Sequence, residues 1–228
     1  MKRLFVLFAL AALVSCKAPY FNNANNMRLI NGTVFTKDGG KAEGQLTVNM
    51  ENYHPSRLYV NVTPREGKEA RRIMLTDITG MEVRGDYYEP RLVDMGGLGN
   101  TNEFRFLRRL TKEPSRIHLY ELQEDVNRQQ YSRYNRNSVS YTERQYSYYI
   151  VTPAHTYQMP AWNIEGRRLV PDFENKMSEI VKDCSALAEK IRRKEKGYFY
   201  AQVSLIDSKR IETMMTIIDE YNKCEKGR

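Results

Sequence analysis

The sequence predicts an α+β protein, an antiparallel β-sandwich or open barrel followed by a small C-terminal helical segment. Three observations predict it. Apolar residues alternate with polar ones in short runs from Leu29 to about Pro160. Turn-forming residues punctuate these runs, and past Trp162 the apolar spacing lengthens from two to three or four.

The opening hairpin runs from Gly32-Thr33-Val34-Phe35 through Asp38-Gly39 to Gly44-Gln45-Leu46. Leu46, Val48 and Met50 alternate with polar neighbours, as do Leu58, Val60 and Val62. Ile73 to Ile78 reads as a strand with a corner at Asp77, after which a second strand carries Met81 and Val83. Phe104 and Phe106 flank Arg105, and Ile117 and Leu119 flank His118. Turns fall at His54-Pro55, Pro64 to Gly67, Gly85-Asp86 and Glu113-Pro114. Such strands, apolar on one face, fit an antiparallel sheet. Met95 to Asn100 is glycine-rich but lacks the spacing of a phosphate-binding loop, so it reads as a connection.

Pro171-Asp172 starts a helix that places Phe173, Met177, Ile180, Val181 and Cys184 on one face. A second helix from Ser185 to Lys196 carries Leu187 and Ile191 and stops at Gly197. Ser208 opens a last helix with Ile211, Met214 or Met215, Ile218 and Tyr221 inward, and Cys224 just beyond. The methionines read as core filler.

The amino end carries an address. Lys2 and Arg3 precede an apolar run from Leu4 to Val14, which is shorter than the roughly 20 residues a membrane span needs. It fits the hydrophobic region of a secretory leader. Leu13-Val14-Ser15-Cys16 resembles the lipobox of bacterial lipoproteins. That resemblance implies cleavage before Cys16 and acylation of its thiol and new amine. Ordinary cleavage near Ala9-Leu10-Ala11 is the alternative. The expected organisation is a leader over 1–15, a polar tether over 16–26, a β-rich domain over 27–160 and a helical segment over 161–228. Lys17 stands where an aspartate would resemble an inner-membrane retention signal. The expected location is therefore the outer membrane, on its periplasmic face.

Once Lys2 and Arg3 leave, 34 of the 36 basic residues face 28 acidic ones, a mature charge of +6. Such a surface suits anionic headgroups or glycans if clustered and is otherwise an ordinary solvated surface. No nucleic-acid partner is expected, because the export signal would remove the chain from the cytoplasm. With Cys16 committed to lipid, Cys184 and Cys224 remain, and an even pair in an oxidising compartment reads as a disulfide. Two unrelated buried thiols are the alternative. Forty residues apart with no histidine nearby, they are not a zinc pattern.

Asn127 to Tyr149 holds six tyrosines and four arginines against one acid, Glu143. It has almost no apolar face up to Glu143, so a long exposed hairpin loop is expected over 127–145. Tyr146, Tyr148 and Ile150 share one face of the returning strand. Tyrosine and arginine are what binding surfaces concentrate. The candidate surface is Tyr131, Arg133, Tyr134, Tyr141, Tyr146 and Tyr148. A solvated loop without a ligand is the alternative.

Little in the residues speaks for catalysis. His54, His118 and His155 have no partner at ligand spacing, there is no G-x-S-x-G elbow, and Cys184 lies on an apolar helical face. No catalytic residue, metal or cofactor is expected. His118 is expected to face solvent or pack against Tyr120.

Several stretches together resemble envelope lipoproteins of the Bacteroidota. They are Gly44 after Gly32, Ile73-x-Leu75-x-Asp77-Ile78 with Tyr87 downstream, and Phe104-x-Phe106. Asp183-Cys184 and Tyr221-Asn222-Lys223-Cys224 are the sharpest of them. The resemblance spans most of the mature chain and implies an envelope module, with no activity carried over. The expected function is a lipid-anchored, non-catalytic binding or scaffold lipoprotein, accessory to outer-membrane assembly, secretion or glycan handling. A hydrolase acting on cell-wall or glycan substrates is the alternative.

Overall fold

A computed structural model describes residues 18–50, 58–65, 69–94, 102–131, 138–152, 155–162, 173–199 and 207–224. Among the described residues the chain is mostly antiparallel β-sheet in an open arrangement, with three helices of which the last is C-terminal. It divides into two compact units at Arg84–Gly85, so the stretch expected to be one β domain over 27–160 is shared between them.

The first unit contains β1 (Tyr20–Asn23), β2 (Asn26–Thr36), β3 (Lys41–Asn49), β4 (Tyr59–Thr63), β5 (Arg71–Met74) and β6 (Ile78–Val83). Their order across the sheet is β6-β2-β3-β4-β5, and β1 pairs with the start of β2. Alternation produces the core: Val34, Leu46, Val48, Val60, Val62, Met81 and Val83 are all buried. The corner expected at Asp77 is a single 3-10 turn over Leu75–Asp77. Gly32 and Gly44 face each other across the β2–β3 ladder. A Cβ on Gly44 would lie 2.4 Å from the Thr63 carbonyl oxygen, and one on Gly32 2.6 Å from that of Glu82. Only glycine permits these backbones to come so close.

One expectation fails here. The polar stretch 16–26 reads as a tether, yet Tyr20–Asn23 forms β1, and Asn23, Ala24 and Asn25 are buried. The asparagines serve the turn: the Asn25 amide donates to Asn23 Oδ1 at 2.8 Å, and the Met50 amide donates to the Asn25 carbonyl at 2.8 Å. Buried polar residues persist when their groups are satisfied in this way.

The second unit contains β7 (Asp86–Asp94), β8 (Asn102–Arg109), β9 (His118–Tyr131), β10 (Ser138–Thr152) and β11 (His155–Trp162), paired in chain order. Three helices follow: α1 (Phe173–Ile180), α2 (Ser185–Arg192) and α3 (Asp207–Lys223). The helical stripes match expectation, with Phe173, Met177, Val181, Cys184, Leu187, Ile191, Met214, Ile218 and Tyr221 all buried. They pack on Ile117, Leu119, Tyr148 and Ile150 from one face of the sheet. Val93, Leu107, Tyr120, Leu122 and Tyr149 form a separate cluster, and register puts Tyr149 opposite Tyr120 and Ile150 opposite Leu119. The centre of this sheet is thus apolar on both faces, which simple alternation does not announce.

Candidate functional site

The Tyr/Arg segment is not a loop over 127–145. β9 and β10 stay paired from Val151↔His118 out to Ser138↔Tyr131, so most of the segment is a two-stranded ribbon. Beyond Asp125 and Arg144, β9 and β10 pair only with each other among the described residues. At about 3.4 Å per residue the two strands run for roughly 45 Å. The alternation of small polar, β-branched and aromatic residues in Ser138 to Tyr149 favours strand over loop once a partner strand is present.

The candidate residues separate. Tyr141 is exposed. Tyr148 is buried in the core under the helices and so does not belong to an open binding surface, and Tyr146 is half-buried against that same cluster. Arg133 and Tyr134 lie outside the described residues, as does the side chain of Tyr131, whose backbone closes the ladder opposite Ser138. Arg144 meets Asp125 across the ribbon, with Nε 3.4 Å from Oδ1.

At the base of the ribbon lies a charged network that sequence reasoning missed. Glu89 is buried on β7 and receives three donors. Arg109 Nη1 donates to its Oε1 at 3.0 Å, the Tyr120 hydroxyl to its Oε2 at 2.9 Å, and Arg91 Nη2 also bonds Oε2. Arg91 Nη2 donates in turn to the Tyr120 hydroxyl at 2.8 Å. Arg109 Nη1 also donates to Glu113 Oε1 at 2.7 Å, and its guanidinium sits 4.4 Å over the Tyr87 ring. His118 Nε2 is 3.6 Å from Glu113 Oε1, Nδ1 is 3.0 Å from the Thr111 hydroxyl, and its ring centroid is 6.1 Å from that of Tyr120, as expected of a histidine packed there.

The electrostatics follow burial. Burial first, then the Glu89 charge, pushes the Tyr120 hydroxyl far above an ordinary phenol, so it stays a donor. Burial pulls the His118 imidazole below its ordinary value against the opposing pull of Glu113. Nearby, Arg108 Nη2 bonds the buried Glu121 at 2.9 Å, and burial pushes the adjacent Tyr88 up to about 12. The sequence carries a period-two signal in Tyr87-x-Glu89-x-Arg91-x-Val93, interrupted by Pro90, which has no amide to donate to a ladder. Here Pro90 stands opposite Phe106 within the β7–β8 ladder.

The expected pairing of Cys184 with Cys224 is present, with Cα atoms 6.0 Å apart. It clasps the end of α3 to the turn after α1. Among the described residues, no group of three or more His, Cys, Asp or Glu side chains is placed to hold a metal ion. Among them, too, no helix is long and apolar enough to cross a membrane.

No protein-family model, no curated protein and no solved structure matches the chain.

Proposed function

We propose that the chain is a lipid-anchored binding or scaffold lipoprotein of the bacterial cell envelope, acylated on Cys16 and held at the periplasmic face of the outer membrane. It would serve as an accessory to outer-membrane assembly, secretion or glycan handling. The observation that carries this reading is the Cys184–Cys224 disulfide. A structural disulfide belongs to an oxidising compartment, and this one uses both cysteines other than Cys16. The remaining thiol stands where the leader ends, in the position that acylation requires.

The β9–β10 ribbon supports the binding half of the proposal. It is long, rich in tyrosine and arginine, and rooted in strands locked by the Glu89 network. Metabolic labelling with a clickable fatty acid tests the anchor: the native chain takes label and Cys16→Ala does not. Cutting the ribbon back by removing 127–144 tests binding. The shortened chain should fold and recover fewer envelope partners after mild crosslinking. Unchanged recovery would remove the ribbon from the proposal.

One observation favours the second reading, a hydrolase. Glu89 Oε1 and Glu113 Oε1 lie within 3.0 Å of the same arginine nitrogen, Arg109 Nη1, so two carboxylates converge beside a histidine and a tyrosine. Against it, Glu89 accepts bonds from two guanidinium groups and a hydroxyl, which suits a structural anchor better than a base. Release of sugar from cell-wall or glycan substrates by the native chain, abolished in Glu113→Gln, would establish the hydrolase instead.

A further inference from the structure

The turn that closes α2 is built differently from an ordinary helix end. α2 buries Leu187, Ala188 and Ile191 and leaves its other stripe to solvent. The Glu195 amide then donates to the Lys190 carbonyl at 3.0 Å, and the Lys194 amide to that of Ile191 at 3.0 Å. This is the Schellman pattern, whose left-handed position is normally a glycine. Here that position is Lys194, at φ 56°, and the glycine comes three residues later at Gly197. A lysine has been placed where the backbone would favour a residue without a side chain, and such placements point toward function.

The neighbours share its charge. From Lys190 to Phe199 the chain carries five cations and one acid, Glu195. Arg192, Arg193 and Lys194 keep 53%, 69% and 49% of their side-chain surface in water despite pairing with Glu189 and Glu174. Lys196 is exposed as well. Two half-buried aromatic rings back the turn on the helical core: Lys190 Nζ is 5.0 Å from the centre of Tyr198 and is paired with Glu220, and Lys194 Nζ is 4.9 Å from that of Phe199. The Tyr198 amide is tied back to the Glu195 carbonyl at 3.0 Å, so rings and cations sit on one ordered turn.

We propose that this turn docks onto an anionic bilayer surface through Arg192, Arg193, Lys194 and Lys196. Guanidinium groups pair with phosphate in two-pronged fashion, and lysine binds it as a point charge. The inference extends the lipoprotein reading and rests on it for its purpose. On a chain already held by acyl chains at Cys16, the basic turn would orient the fold against the anionic headgroups.

The test uses the mature chain carrying Cys16→Ser, which cannot be acylated, so the patch is measured without the anchor. Co-sedimentation with phosphatidylcholine vesicles, with and without phosphatidylglycerol, should show binding only to the anionic ones, weakening as salt is raised. The variant Arg192→Gln/Arg193→Gln/Lys196→Gln should keep the native circular dichroism and bind roughly a hundredfold more weakly, about fivefold for each cation removed. Equal binding by the variant, or equal binding to neutral vesicles, would overturn the proposal. Binding to soluble dextran sulfate as tight as to vesicles would overturn it in favour of a polyanionic glycan. Failure of Cys16 to acylate in cells would sink the lipoprotein reading and leave these measurements unaffected.

Discussion

The guanidinium of Arg116 lies 3.8 Å over the ring of Tyr221, joining the connection before β9 to the last turn of α3. It donates to the Tyr221 hydroxyl at 3.0 Å and to the Tyr221 and Cys224 carbonyls at 3.1 and 3.3 Å, and it pairs with Asp183. The Tyr221 hydroxyl donates to Asp183 Oδ1 at 2.7 Å, and burial together with that bond pushes the phenol up to about 12. One cation thus satisfies the open carbonyls at a helix end, where positive charge is favoured, and does so beside the disulfide. Replacing it with alanine should destabilise the second unit by about 2–3 kcal/mol, and Tyr221→Phe by about 1 kcal/mol, read from urea unfolding. A change within error for Arg116→Ala would show that water replaces the latch.

Acid should loosen the same latch. The bond from Tyr221 first, and the charge and hydrogen bond of Arg116 after it, hold the Asp183 carboxyl below its ordinary range. A carboxyl depressed in the folded state contributes stability that is present above its unfolded value near 4 and lost as pH falls through the folded value. Thermal unfolding should therefore soften below about pH 4, and Asp183→Asn should flatten that part of the profile.

His118 supplies the other pH dependence, at higher pH. Burial lowers its folded value, so its neutral form contributes stability above the unfolded value near 6.5, and that contribution fades as pH falls below it. His118→Gln should remove this slope while leaving the acid slope in place. An unaltered profile between pH 7 and 5 would exclude the histidine as its source.

Reducing the disulfide should cost more than either titration. Cys184 and Cys224 are 40 residues apart in sequence. Closing such a loop stabilises the fold by about 4 kcal/mol in the chain-entropy model. The Cys184→Ser/Cys224→Ser variant should unfold at correspondingly lower urea, and the native chain should match it in reductant.

Two glycines should behave differently when replaced by alanine. Gly44→Ala sets a methyl 2.4 Å from the Thr63 carbonyl and should destabilise the first unit by about 1–3 kcal/mol. Gly39 has open space around it and only a φ of +82° to forfeit, so Gly39→Ala should cost about 1 kcal/mol. Similar costs at both sites would mean that β4 yields to the methyl.

Local periodicity carried much of the fold. The β2–β3 hairpin, the corner at Leu75–Asp77 and the buried helical stripes were legible because each depends on neighbours two to four residues apart. β1 and β7 were not. Tyr20–Asn23 is too short to show a period, and Pro90 interrupts the signal around Glu89. In the candidate site, the shared face of Tyr146, Tyr148 and Ile150 was readable, but not that helices more than twenty residues later would cover it.

By itself the sequence determined the class of the fold and the stripes each helix would bury, since these follow from side-chain period; it left Cys184 and Cys224 as a disulfide or two buried thiols, and the structure joins them. Only the tertiary structure decided which tyrosines remain in water, that Glu89 is met by Arg91, Arg109 and Tyr120, and that Arg116 closes onto Tyr221. Apart from Glu89 with Arg91, those contacts join residues 20 to about 100 positions apart. Their partners are selected by strand register and helix docking, which no short window of sequence encodes.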